Sequence, residues 1–256
     1  DPHGQFVVVG EDAKADGNIC LKSDVAIAKA KNWSVEDENG DPYEGEDDSQ
    51  PSVGDGVITM TTAKAVGETV MLKMIYTGDA PTLSGLTGTP ESGKTIIYTL
   101  TSQTITITGD VTYFNCGNNQ LTALDVSKNT ALTELDCFNN QLTTLDVSKN
   151  TALGRLNCSK NQLTALDVSQ NTKLGTLDCR GNQIKGEEMS RLVNSLPDRT
   201  GKEAGEFVVV QSDAESNRCL KSDVAIAKGK NWHSFKYYSD TGKSFGYEGE
   251  EASPNV

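Results

Sequence analysis

Four sets of side chains in this sequence have the types and spacing to do chemistry. They are one phosphate-loop spelling, a row of evenly spaced cysteines, two acidic runs and a pair of histidines. Gly88 to Thr95 reads GTPESGKT and satisfies G-x-x-x-x-G-K-[ST]. In that pattern backbone N–H groups cradle phosphates, the Lys reaches the outer ones and the hydroxyl holds Mg²⁺. Such a loop must follow a strand and open a helix, because the helix N-terminus supplies the donors and the dipole. Here it is followed by the β-branched run Thr95-Ile96-Ile97-Tyr98-Thr99-Leu100, and no apolar run ending in a magnesium-binding Asp lies at a suitable distance. The segment therefore reads as a hairpin turn, with Gly88, Pro90 and Gly93 as turn residues and Lys94 in solvent, and no nucleotide is expected as a partner.

Of the six cysteines, Cys116, Cys137, Cys158 and Cys179 stand 21 residues apart, at a position that alternates with Val126, Val147 and Val168. They read as small buried hydrophobes. Zinc needs ligands converging on a point, whereas a linear column does not converge, and parallel inward vectors fit a disulfide poorly. Cys20 and Cys219 fill equivalent sites and are expected to be reduced and packed. His3 and His233 belong to no repeated or paired arrangement, and there is no G-x-S-x-G elbow, so no enzyme activity, cofactor or metal is expected. Calcium is the best small-ligand candidate, through Asp37, Asn39 and Asp41 or through Glu44, Glu46, Asp47 and Asp48. Pro42 stands where a helix-loop-helix calcium site needs Gly, and no Glu stands at the twelfth place. A solvated acidic loop is the simpler reading. Asn32-Trp33-Ser34 is formally a glycosylation acceptor, but its twin reads Asn231-Trp232-His233.

The elements that must carry these residues follow from two internal repeats. Around the evenly spaced cysteines the text recurs as NNQLTALDVSKNTALTELDC, NNQLTTLDVSKNTALGRLNC and KNQLTALDVSQNTKLGTLDC. Each 21-residue unit holds two half-motifs, LxxLDVSxNT and LxxLxCxxNQ, and a degenerate first unit through Leu100, Ile105, Val111, Phe114 and Cys116 precedes them. One unit is too short to bury its own apolar stripe, so neighbours about 4.8 Å apart must complete the core. The columns Asn119, Asn140, Asn161, Asn182 and Asn129, Asn150, Asn171 are expected to form ladders whose amides satisfy turn backbone groups.

The second repeat is a duplication 199 residues apart: Cys20 to Trp33 recurs as Cys219 to Trp232, with Ala30 replaced by Gly229. Both copies follow Phe-Val-Val-Val and precede Tyr-Glu-Gly-Glu. The reading is a βαβ-like unit with Ser23 and Ser222 as helix caps. Met189, Leu192, Val193 and Leu196 follow helical spacing before Pro197, so helix, strand, helix and strand are expected to shield the open end of the array. Between the repeats, 57–61, 69–76, 95–100 and 104–108 read as strands.

In both halves of each unit these motifs resemble the leucine-rich repeat family, over about 85 residues. The sequel NQI-x-G-E-x-M…LP-x-R with A-I-A-K-x-K-N-W looks like the terminal segment of bacterial cell-surface leucine-rich repeat proteins from anaerobic commensals. The resemblance implies an α/β, β-rich fold: a right-handed leucine-rich repeat solenoid with short stacked L-x-V/C strands, a β-rich N-terminal region and βαβ-like flanking and capping units. The expected organisation is a βα flanking unit over 1–50, a β-rich segment over 51–99, the solenoid over 100–184 and the C-terminal cap over 185–256. Asp1-Pro2-His3-Gly4 runs straight into a strand, which reads as a cut, so 1–50 is expected to be the tail of a preceding array.

The net charge of −13 opposes nucleic acid and anionic lipid, and no window of the sequence has the length and apolarity to span a bilayer. A membrane is expected only through an anchor absent from this chain. Comparison between units marks where recognition could vary. The first half-motif is uniform outside, whereas the second presents Glu134, Arg155, Thr176, then Asp136, Asn157, Asp178, then Phe138, Ser159, Arg180. Size, charge and aromaticity change from unit to unit there, and Phe138 is expected to project. The expected function is a non-enzymatic extracellular or cell-surface scaffold that binds an unidentified protein or host matrix component through this face. A glycan-binding protein and a structural spacer with no ligand are the alternatives.

Overall fold

The computed structural model describes residues 4–7, 33–36, 56–211, 217–238 and 242–251. Residues 1–53 and 54–256 form two compact units. In the first, β1 (Gly4–Val7) and β2 (Trp33–Glu36) pair in parallel, with Gly4 opposite Trp33 and Val7 opposite Glu36. Cys20, Ser23 and the helix expected between these strands lie outside the described residues.

The second unit opens with strands whose β-branched alternation puts every other side chain inside. They are β3 (Val57–Thr62), β4 (Thr69–Tyr76), β5 (Thr82–Ser84), β6 (Leu86–Thr87), β7 (Thr95–Leu100) and β8 (Thr104–Thr108). Ile58, Met60, Val70, Leu72, Met74, Tyr98, Leu100, Ile105 and Ile107 are all buried. GTPESGKT connects β6 to β7 as the loop of an antiparallel hairpin and leads into a strand, not a helix. Gly88 and Gly93 take positive φ, and Lys94 is exposed beside Glu91.

The repeats continue as β9 (Val111–Asn115), β10 (Leu121–Asp125), β11 (Glu134–Asp136), β12 (Arg155–Asn157) and β13 (Thr176–Asp178). The register is the sequence period: Glu134 faces Arg155 and Arg155 faces Thr176, in parallel, while Glu134 also faces Tyr113 on β9. Leu135, Leu156 and Leu177 are fully buried, as are Cys116, Cys137, Cys158 and Cys179. The expectation that both half-motifs give parallel strands needs correction. In the first half-motif only β10 is a strand, and it pairs antiparallel with β3. In each unit the Asp carboxylate accepts the N–H two residues on, Asp125 from Ser127 and Asp146 from Ser148 at 2.9 Å and Asp167 from Ser169 at 2.8 Å. The same turn follows β10, so what sets β10 apart is its partner: among the described residues it alone of these segments lies beside β3.

α1 (Glu187–Ser195), β14 (Gly205–Gln211), α2 (Lys221–Gly229), β15 (Trp232–Tyr238) and β16 (Lys243–Gly246) complete the chain. β14 pairs in parallel with β13, Leu177 opposite Phe207, and β15 pairs in parallel with β14, so the βαβ segment extends the repeat ladder. Met189, Leu192 and Val193 form the buried stripe of α1. Ser222 does not cap α2. The helix starts after Leu220, and the Asp223 carboxylate accepts the Leu220 N–H at 2.9 Å, a charge-assisted bond that a hydroxyl one residue earlier cannot match. The strand-rich result is one four-stranded sheet, β10-β3-β8-β5, and one ten-stranded sheet, β16-β15-β14-β13-β12-β11-β9-β4-β7-β6. The ten-stranded sheet runs through the segments 51–99, 100–184 and 185–256 alike.

Both asparagine columns are buried ladders. Asn161 Nδ2 donates to the carbonyls of Cys137 and Cys158, each at 3.0 Å, and its Oδ1 accepts the Leu142 N–H at 3.0 Å. Asn140 and Asn182 repeat the arrangement one unit away. At the ends the ladder changes partners: Asn119 exchanges bonds with both backbone groups of Met71 on β4. Asn217 takes the next rung, donating to Cys179 and Val209 and accepting from Ile184.

Candidate functional site

The register that stacks the strands also builds a continuous outward face on the ten-stranded sheet, because directly paired residues share a side. Ile97 on β7 faces Met71 on β4, Ile75 faces Tyr113 on β9, and Lys73 faces Asn115. The face continues through Glu134 and Asp136, Arg155 and Asn157, Thr176 and Asp178, then Glu206 and Val208 on β14 and His233 and Phe235 on β15.

The nine residues singled out by unit-to-unit variation all lie along this surface, with unequal access to it. Glu134 and Arg155 are exposed, and Thr176, Asn157, Asp178, Phe138 and Arg180 are half-buried. Asp136 is 8% exposed because it is wedged between neighbours: Tyr113 Oη donates to its Oδ2 at 3.0 Å and Arg155 Nε lies 3.7 Å from its Oδ1. Ser159 is buried and donates its hydroxyl to Asn157 Oδ1 at 2.7 Å. Arg180 pairs with Asp178 at 3.0 Å and stacks its guanidinium 3.7 Å from the centre of the Tyr237 ring. Phe138 does not project. A Cβ built on Gly117 would lie 2.6 Å from the ring, so Cδ1, Cε1 and Cζ of Phe138 occupy the space over the glycine of the preceding unit.

Sequence reasoning missed the apolar end of this face. Met71, Ile75 and Ile97 are 44%, 42% and 68% exposed, three of the four large hydrophobics that lie open to solvent among the described residues. β-Branched alternation announced these strands but not which side would face water. It also missed the loops that follow the strands. Asn118, Asn139, Lys160 and Gly181 occupy one position in four successive units, all with positive φ, and the first three line a cavity of 330 Å³ together with Phe138, Asn157, Ser159 and Arg180.

The electrostatics are local. Burial pushes the Asp178 carboxyl up to about 6, against the opposing pull of the Arg180 guanidinium. Burial likewise raises the Cys116, Cys137 and Cys158 thiols well above their usual range, the opposite of what a reactive thiolate or metal ligand requires. Among the described residues no group of three His, Cys, Asp or Glu side chains is arranged to hold a metal ion. The acidic stretch 37–48 and His3 lie outside the described residues.

Because the folded Asp178 pKa of about 6 exceeds the ordinary 3.8, the native state holds a proton that the unfolded chain releases between those values. Its contribution to stability therefore grows as pH falls through 6, saturates near 4 and is lost as pH rises. Asp178→Asn should remove this trend. Thermal unfolding at pH 4 and pH 7 should show the unaltered chain gaining on the variant at the lower pH, and parallel pH profiles would refute the assignment.

No family model and no curated protein matches the chain. Among solved structures, the functional domain of InlJ from Listeria monocytogenes, which includes a cysteine ladder, is similar to it at 22% identity, with a TM-score of 0.29. The likeness covers 52% of this chain and 42% of that one, so the chain spans less than half the length of the structure it matches. No helix among the described residues is long and apolar enough to cross a membrane.

Proposed function

We propose that the chain is a non-enzymatic leucine-rich repeat scaffold whose 21-residue units close the coils of a right-handed solenoid. It belongs outside the cell or on its surface, in the manner of the bacterial repeat proteins its terminal segment resembles. Its outward sheet face docks a protein, a host matrix component being the expected kind. The supporting observation is that face itself. Met71, Ile75 and Ile97 expose apolar surface on β4 and β7, and on the same face, beyond Tyr113 and Asn115 of β9, follow the charged, unit-variable residues Glu134 and Arg155. Exposed apolar surface continued by mixed charge on one face is a composition suited to a protein interface.

The test uses residues that do not hold the fold together. Phe138 and Arg180 are packed against Gly117 and Tyr237, so their removal would mix binding with stability. Met71→Lys, Ile75→Lys and Ile97→Lys together alter only exposed side chains. Captured in parallel from a host extract, the unaltered chain should retain proteins that the triple variant loses by at least about tenfold, in keeping with hot-spot losses of about 1.4 kcal/mol or more. The two melting temperatures should agree. Identical captured sets would remove the face assignment, and no capture by either would favour a spacer.

A further inference from the structure

The cavity at the strand ends differs from the open sheet face beside it. It is built by four successive repeat units, with Asn118 after β9, Phe138 and Asn139 after β11, Asn157 and Lys160 at the end of β12 and Arg180 after β13. At 330 Å³ it lies at the lower end of small-ligand sites. We propose that it binds a carboxylated sugar residue of an acidic glycan.

Three features of the wall carry the proposal. The first is charge. Lys160 and Arg180 line the cavity and no carboxylate does. Arg180 is already paired with Asp178 at 3.0 Å, so Lys160 is the cation that attracts an anion here, in a chain whose net charge of −13 repels one elsewhere. Lys160 is exposed and has no ion-pair partner among the described residues. The second is the amides. Asn139 Nδ2 donates to Asn118 Oδ1 at 2.6 Å, which leaves Asn118 Nδ2 and Asn139 Oδ1 without partners among the described residues. One donor beside one acceptor suits hydroxyl groups, each of which both donates and accepts. The third is Phe138. Gly117 is the only member of its column small enough to let the next unit's ring lie down on it, the others being Phe138, Ser159 and Arg180. The ring is thereby a fixed apolar platform for the C–H face of a sugar.

A peptide fits less well. β9, β11, β12 and β13 are each paired on both sides, so no backbone edge at this site can add a strand, and recognition must go through side chains. Lys160 itself is suggestive. It holds φ 53, a left-handed conformation that costs a long side chain more than the Asn or Gly found at the same place in neighbouring units. Strain of this kind persists where a side chain is needed.

The test titrates the full chain with a linear trigalacturonate, its methyl ester, inorganic sulfate and a triglutamate peptide, by calorimetry or by chemical-shift changes. The acidic sugar should bind saturably and the ester at least about tenfold more weakly, a difference of about 1.4 kcal/mol. Lys160→Asn, which installs the residue tolerated at this φ one unit earlier, should weaken the acidic sugar by at least about tenfold with no loss of melting temperature. Gly117→Ala, which lifts the ring, should weaken acid and ester alike. The triple variant of the open face should bind the sugar as the unaltered chain does, which separates this proposal from the protein-docking one. Equal affinity for acid and ester, full competition by sulfate, preference for the peptide, an unaffected Lys160→Asn variant, or no saturation of the acidic sugar by about 10 mM would each overturn it.

Discussion

Asn161→Ala is expected to lower the free energy of unfolding by roughly 3 kcal/mol, although no Leu or Cys of the core is touched. Asn161 sits between two units and satisfies backbone groups in both. Its loss leaves the Leu142 N–H, in a fully buried residue, without its 3.0 Å acceptor. An orphaned buried donor costs about 1–3 kcal/mol, and each lost bond to a carbonyl adds to it. The carbonyls of Cys137 and Cys158 fare better, because each also accepts from a neighbouring rung, Asn140 and Asn182 respectively.

The parallel ladder supplies the control. Asn150 Nδ2 donates to Val126 and Asn129, but both carbonyls accept a second backbone N–H within their own turn, and Asn150 Oδ1 accepts nothing from the protein. Asn150→Ala therefore orphans no N–H and should cost about 1 kcal/mol less than Asn161→Ala. Urea unfolding of the two variants, compared at common slope, measures the difference. Equal losses would mean that the columns act through packing and not through the bonds assigned to them.

The parts legible in the sequence were those that repeat. A strict 21-residue period allows only one parallel register, so Glu134, Arg155 and Thr176 had to stack, with Leu135, Leu156 and Leu177 inside. What escaped depends on pairing between distant or non-repeating segments. β3 reads as a strand on its own residues, but nothing local says that β8 and β10 flank it, nor that Met71 and Ile97 would end on the water side of the other sheet. Asn217 continues the ladder from a position 35 residues beyond Asn182, where the period is already broken. Phe138 was misjudged for a different reason. The column Phe138, Ser159, Arg180 marks the position as variable and outward, but only the parallel pairing of β9 with β11 shows that Gly117, one unit earlier, is space for the neighbour's ring.

The same reasoning about space gives the second large effect. Gly205→Ala is expected to destabilise the C-terminal cap by about 2–4 kcal/mol, combining overpacking with a broken buried bond. Its Cβ would stand 2.5 Å from Cδ2 and Cε3 of Trp232 and 2.9 Å from Cδ of Arg199. Trp232 is the largest fully buried side chain among the described residues, and its Nε1–H donates to the Pro197 carbonyl at 2.8 Å. Arg199 ties the cap to the last repeat through Nη1, 2.9 Å from the Leu174 carbonyl. Neither side chain can yield without releasing one of these bonds. The duplicate unit pairs Gly4 with Trp33 in the same backbone register as Gly205 with Trp232. Gly229→Ala is the matched control. It closes α2 with nothing within 4 Å of its Cβ position, and Ala30 fills that place in the other copy, so it should stabilise by about 0.5–1 kcal/mol. Hydrogen exchange should show Gly205→Ala opening β14 and β15 ahead of β11 and β12. Uniform loosening along the whole ladder would show instead that cap and repeats unfold as one.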